Sequence, residues 1–242
     1  AGEVRPVQRG QERIREAAKL GAAITVDMEQ YVFKDLTLEI FRGVLAEKEF
    51  SAAPRAAIAL QAYLREAERN VRELIRWAHR QKRRIGVRLV KGAYWDSEIA
   101  WAKQKGWPIP VFLDKTETDA SYERISRLLL ENHDLIDAAF GSHNLRSLAH
   151  AIVVAKELGI APSGYEIQML YGMAEPVRQA IIQNGQRVRV YLPVGELLPG
   201  ISYLIRRLME NTSNTSFLRQ TYADRKDIGA LIKAPARPLK RD

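Results

Sequence analysis

Residues 85–92 read IGVRLVKG. The run is short, rich in β-formers and closed by a glycine, so it reads as a β-strand that delivers Arg88 and Lys91 to its C-terminal end. Five other runs have the same character: AAITVDME at 22–29, AAIALQAY at 56–63, DAAFGSH at 137–143, YEIQMLY at 165–171 and RVRVYLPV at 187–194. Helical patterns lie between them. Leu36, Ile40 and Val44 fall on one stripe; Tyr122, Ile125, Leu128 and Leu129 on a second; Leu145, Leu148, Ala149, Ile152 and Ala155 on a third, with Gly159 as its C′ terminator. Repeated strand–helix units imply a parallel sheet, either doubly wound or closed into a barrel. Neither GxGxxG nor GxxxxGK[ST] is present, which weakens the dinucleotide-fold and P-loop readings. Polar residues collect where the runs end: Asp27 and Glu29, Gln61, Arg88 and Lys91, His143 and Asn144, Gln168, Tyr191. That is where a (βα)8 barrel builds its active site. Six strands are visible, two short of a full barrel. Strand starts lie roughly 22–34 residues apart except across a gap of about 52 between the third and fourth, which holds a further short run, PVFLDK at 110–115; such an excursion usually covers a ligand.

Composition narrows the chemistry. The 242 residues carry 38 Lys plus Arg against 29 Asp plus Glu, a net charge of +9, with 46% hydrophobic residues and no Cys. A chain this long buries roughly 70% of its unfolded surface. Without Cys there is no disulfide framework, thiolate nucleophile or iron–sulfur site, so redox chemistry would need a bound cofactor and a reducing cytoplasm is adequate. No apolar stretch approaches the ~20 residues of a membrane span, and AGEVRPVQRG lacks a signal-peptide core, so the expectation is neither secretion nor membrane insertion. The chain begins with Ala1, as a piece of something longer would.

The excess positive charge sits mainly at 65–84 and in the tail 224–242. In the first segment Leu64, Ala67, Val71, Leu74, Ile75 and Ala78 repeat at helical steps, so its arginines form the solvated face of an amphipathic helix. The competing reading is a basic binding module for an anionic polymer or lipid surface, but no stacking aromatics or zinc-finger spacing support nucleic-acid recognition.

Asp27 and Glu29, two apart on a strand, would share a face. They suit an acid–base pair, a metal site or partners for buried arginines. A metal is the poorest fit, because His143 is the one imidazole at a strand end; the bland alternative is that one carboxylate neutralises an inward arginine such as Arg189. Lys91 suits a Schiff-base lyase, or Lys91–Gly92–Ala93 is a turn lying against a planar ligand, the reading we favour. Tyr203, Arg206, Arg207 and Glu210 fall at i, i+3, i+4 and i+7 of ISYLIRRLMEN, a clamp for a small carboxylate with an apolar ring, or else a surface salt-bridge face.

VRLVKGAYWDSE at 87–98, PVFLDKTETDASY at 110–122, SHN at 142–144, YEIQMLYGM at 165–173, RVYLPVGELLPG at 189–200 and YLIRRLMENTSNTSF at 203–217 together closely resemble the flavin-dependent proline dehydrogenase domain. The likeness runs from about residue 9 to 230, and is greater to the bifunctional proline utilization A branch than to the short monofunctional one. It implies an α/β fold, a (βα)8 TIM-like barrel truncated to about strands 3–8, with the barrel over 1–222 and a basic linker or tail over 223–242. It implies oxidation of L-proline to 1-pyrroline-5-carboxylate, with hydride passing to FAD and electrons to a quinone. The implied setting is cytoplasmic, at most peripheral at the membrane's inner face, with a possible C-terminal aldehyde dehydrogenase domain. By motif match, Asp27 and Arg88 take catalytic or site-organising roles. Met28, Gln61, Val90, Lys91, Gly92, Ala93, Trp95, Ser142, His143, Gln168 and Glu210 match flavin contacts. Leu170, Tyr191, Tyr203, Arg206 and Arg207 match the substrate pocket. The family's first two strands, bearing a substrate-side Lys and an acidic residue, have no counterpart, since residues 1–20 read as the helix before the third strand. Ser142 stands where Thr is common, and Leu113–Asp114 replaces a more polar pair.

Overall fold

The computed structural model describes residues 4–50, 56–195, 201, 205 and 233–235. All six expected strands are present: β1 (Ile24–Val26), β2 (Ala56–Gln61), β3 (Ile85–Val90), β4 (Ile136–Gly141), β5 (Tyr165–Leu170) and β6 (Val188–Tyr191). The helices α1 (Val4–Lys19), α2 (Lys34–Ala46), α3 (Ala67–Gln81), α4 (Trp95–Lys105), α5 (Lys115–Glu131), α6 (Leu145–Glu157) and α7 (Glu175–Gln183) accompany them. Strand order follows chain order, β1-β2-β3-β4-β5-β6. The β1–β2, β2–β3 and β5–β6 pairs are parallel. A doubly wound sheet reverses its order at a switch point; sequential order without reversal is the winding of a (βα) barrel, here represented by six strands.

The chain forms two compact units that divide within β4, after Ala139. In the first, α3 and α5 cover the sheet. Ile58 and Leu60 of β2, Val87 and Leu89 of β3, Val71, Leu74 and Ala78 of α3 and Tyr122, Ile125 and Leu129 of α5 are all buried. Each large aliphatic side chain in such a core contributes about 1.5–3 kcal/mol. The excursion after α4 is pinned to the segment that follows β2. Val111 forms an antiparallel bridge with Leu64, Phe112 N donates to Tyr63 O at 2.8 Å, and Arg65 N donates to Pro110 O at 2.9 Å. Asp114 then caps α5 by accepting from Thr116 N at 2.8 Å.

In the second unit, Phe140 and Tyr165 meet edge to face with ring centroids 6.0 Å apart. Leu148, Ala151 and Val154 of α6 and Ile167 and Met169 of β5 are buried. Asn144 caps α6 through Ser147 N at 3.1 Å. The helix ends as expected at Gly159, whose φ of 69° lets its own N–H reach Lys156 O and that of Ile160 reach Ala155 O.

Three expectations need correction. The first strand closes at Val26, because β1 pairs with β2 only over Ile24–Val26, so Asp27 and Glu29 lie in the loop beyond it rather than on one strand face. The buried stripe of α2 is Lys34, Leu38, Phe41, Val44 and Leu45, leaving Leu36 exposed; in α6 Ala149 is exposed and Ala151 and Val154 take the core positions. Apolar spacing alone fixes the helix and leaves its rotation free by one residue. Finally, the charged face at 65–84 is not simply solvated. Arg65 and Arg83 donate to Val111 O and Leu45 O, while Arg69, Arg72 and Arg84 pair with Glu66, Glu68 and Asp137.

Candidate functional site

Within the first unit, the β2–β3 register sets Ala59 beside Arg88 and Gln61 beside Val90. These four residues therefore share one face. The alternate residues Val87 and Leu89 are fully buried, whereas Arg88 and Val90 are only partly so. Arg88 Nη2 is ion-paired to Asp27 Oδ1. The guanidinium is 15% exposed and the carboxylate 57%, so the loop acid closes over a mostly buried cation. Gln61 Nε2 donates to Met28 O at 3.0 Å and to Glu29 O at 2.9 Å, tying the same loop to the end of β2. Two carbonyls on one side of a carboxamide require its nitrogen there, which turns Oε1 the other way. Gln61 Oε1 is buried and has no hydrogen-bond partner. An orphan of this kind costs about 1–3 kcal/mol unless a donor reaches it.

Lys91 continues the register of the buried side of β3, and its ammonium is ion-paired to Asp119 of α5 and lies 5.7 Å from the centre of the Tyr122 ring. Burial pushes its pKa down to about 8, against the opposing pull of Asp119. Desolvation pushes the Asp119 carboxyl up, but Lys91 and Lys115 together hold it below the usual range. The ammonium thus serves α5, on the side away from Arg88, which weighs against Schiff-base chemistry at Lys91. The following turn has a steric need for Gly92. Its φ is 124°, and an added Cβ would sit 2.6 Å from the Tyr63 ring. Ala93 and Trp95 are exposed, with Trp95 Nε1 donating to Phe112 O at 2.7 Å.

In the second unit, β5 and β6 carry a matching face. Gln168 lies beside Arg189 and Leu170 beside Tyr191. Leu170 N donates to His143 Nε2 at 3.0 Å, which places that ring's proton on Nδ1. Ser142 N donates to Gln168 O at 3.3 Å, and Asn144 N to Ser142 Oγ at 3.1 Å. Arg189 is neutralised by Glu166 and not by Asp27 or Glu29: Nε and Nη2 reach the Glu166 carboxylate at 2.9 and 3.0 Å. Asp27 does neutralise an inward arginine, but it is Arg88. Tyr203, Arg206, Arg207 and Glu210 lie outside the described residues, as does the tail apart from 233–235.

Sequence reading overlooked the partners. Asp119 and Glu166 were not singled out, although Glu166 stands two residues before Gln168 on a strand and so shares its face. Nor was Lys34, which is 1% exposed and ion-paired to Glu66 and to Asp35 at 2.9 Å. Burial pulls its pKa down, yet Glu66 and Asp35 outweigh that and hold it above the ordinary lysine value. Buried lysines are rare enough that no sequence signal marks this one.

Residues 8–220 match the proline dehydrogenase family. The chain belongs to the proline dehydrogenase family. It is 32% identical over 232 residues to the bifunctional protein PutA of Escherichia coli (strain K12), covering 93% of this chain and 18% of that protein. Proline dehydrogenase 2 of Bacillus subtilis (strain 168) is 33% identical over 204 residues, 84% of this chain and 59% of that one. Among solved structures, proline utilization A from Bdellovibrio bacteriovorus, inactivated by N-propargylglycine, superposes with a TM-score of 0.94 at 45% identity, covering 99% of this chain and 25% of that one. The chain thus spans less than a quarter of the length of the E. coli bifunctional protein.

Proposed function

We propose that this proline dehydrogenase chain binds FAD and oxidises L-proline to 1-pyrroline-5-carboxylate, with the electrons passing on to a quinone. The observation that carries the reading is the face shared by Gln61, Arg88 and Val90, on which a buried carboxamide oxygen awaits a donor beside an arginine already held by Asp27. These residues fit a flavin. An oxidised isoalloxazine edge is mostly acceptors with one imide N–H, so it can use both the Arg88 donors and the Gln61 Oε1 acceptor.

When bound, FAD would supply the two-electron acceptor that oxidation of the proline C5–N bond to an imine requires. The chain's own residues bind and orient. Arg206 and Arg207 grip the substrate carboxylate, and Leu170, Tyr191 and Tyr203 cover the pyrrolidine carbons so that C5 is presented in one pose. Asp27 holds Arg88 in place, and Met28, Ser142, His143, Gln168 and Glu210 complete the cofactor's contacts. In this reading the barrel spans residues 1–222, and 223–242 is a basic linker or tail. No helix among the described residues is long and apolar enough to cross a membrane.

The test is proline-dependent dye reduction by a form that carries the family's first two strands ahead of residue 1, together with visible absorption at about 450 nm for bound flavin. Colour with proline-dependent reduction is expected. A colourless protein whose activity with substrate is trapped by borohydride would overturn the reading in favour of a lysine imine.

A further inference from the structure

Gln168 does not choose its own orientation. Its Nε2 donates to Glu166 Oε1 at 2.5 Å, and the two side chains stand at i and i+2 of β5 on the same face. Glu166 is 7% exposed and receives three further bonds, from Arg189 Nε and Nη2 at 2.9 and 3.0 Å and from Arg187 Nη2 at 3.1 Å. An ionised carboxylate only accepts hydrogen bonds, so it can take the NH2 end of Gln168 and never the carbonyl end. Two guanidinium groups keep it ionised: burial pushes its pKa up, but Arg189, Gln168 and Arg187 hold it below the usual carboxylate range.

We propose that Glu166, clamped by Arg187 and Arg189, is a positioning residue that fixes the Gln168 carboxamide with its oxygen turned toward the ligand on the inner face of β5. Gln168 thereby acts as an acceptor for a ligand N–H, and a ligand offering only acceptors there is disfavoured. The face is graded along the strands, from the buried charge at Glu166 through the carboxamide to Leu170 and Tyr191, so the acceptor sits where charge gives way to apolar surface. The inference rests on the reading of Gln168 as a cofactor contact.

A double-mutant cycle in a form that carries the family's first two strands ahead of residue 1 separates this role from a simple staple between β5 and β6. FAD dissociation constants are measured by flavin fluorescence for Gln168→Met, Glu166→Gln and the double variant, with Tm recorded for each. Loss of one hydrogen bond should weaken FAD about 3- to 10-fold in Gln168→Met. Glu166→Gln, whose carboxamide no longer forces one orientation on Gln168, should show a loss of similar size, and the double variant should bind no more weakly than Gln168→Met. Where Glu166→Gln does not fold, Glu166→Asp keeps the charge for the arginines while withdrawing it from Gln168, and the same epistasis is expected. Losses that multiply in the double variant, or a Glu166 variant with lowered Tm and normal FAD affinity, overturn the proposal and leave the cofactor reading intact. Normal FAD affinity in Gln168→Met removes the cofactor reading of Gln168 and the proposal with it.

Discussion

Arg88 is ion-paired to Asp27, and the value of that pair lies in orientation, because a guanidinium on the inner face of β3 can swing unless something anchors its fork. Asp27→Asn keeps the shape and removes the charge. Turnover with proline should fall at least several-fold while visible absorption shows flavin still bound; full kcat would show that Asp27 does not organise the site. Arg206 and Arg207 are expected to act on substrate instead. Replacing Arg207 by Lys exchanges a two-pronged grip for a point charge, and should raise the proline KM by a factor corresponding to about 2–4 kcal/mol. Steady-state kinetics showing an unchanged KM for both Lys variants would remove the clamp. Lys91 gives a pH signature. Its pKa in the fold is near 8 against an ordinary 10.5, because burial outweighs Asp119. Between those values the unfolded chain still holds a proton that the folded chain has released, so Lys91 makes stability rise with pH through that window. Denaturation midpoints should therefore rise more from about pH 8 to 10 in the natural chain than in Lys91→Met. Parallel curves would show that the ammonium is not desolvated.

The turn after β3 shows how far elements were legible. Gly92 was visible as a turn residue that permits close approach, and the structure finds such an approach, but to the Tyr63 ring of the preceding strand–helix connection. Sequence gives the conformational freedom of a residue and not the identity of its neighbour. The same limit explains the helices: Tyr122, Ile125 and Leu129 of α5 were placed correctly because large side chains recur there, while in α2 a buried Lys34 occupies a stripe position that hydropathy assigns to solvent. Strands were the most readable elements, since each is a short apolar run ending in polar residues. β1 and β6 were overestimated most: β6 stops at Tyr191, and the pairing of β1 ends where the Asp27 loop turns to meet Gln61 and Arg88. Gly92→Ala tests the turn. With φ at 124° and no space beside Tyr63, it should cost at least about 1–3 kcal/mol, seen as a lowered Tm. An unaltered Tm would mean that the turn relaxes freely.

At the scale of the molecule, strand order raises the question of closure. A barrel abolishes sheet edges by pairing its last strand with its first, and a sequential order that starts at β1 and stops at β6 leaves these two as the ends among the described residues. β1 is only three residues long. Its shortness limits edge-to-edge pairing but also makes it a poor outer wall. The family's two initial strands, with their substrate-side Lys and acidic residue, find no match in residues 1–20, of which Val4–Lys19 form α1. The cofactor contacts proposed for Gln61, Arg88 and Gln168 lie on strands that are present, and that for His143 in the loop after β4, so some flavin affinity is expected of residues 1–242 by themselves. Substrate positioning is more demanding, since a displacement of about 1 Å can lose roughly 100-fold in rate. We therefore expect residues 1–242 alone to retain FAD weakly, to aggregate, and to show no measurable proline oxidation. A form carrying the family's first two strands ahead of residue 1 should be monodisperse, yellow and active. The two proteins are compared side by side for flavin content, light scattering and proline-dependent dye reduction. Equal specific activity would show that the two strands are dispensable, and that the wall they provide elsewhere in the family is supplied here by residues already in the chain.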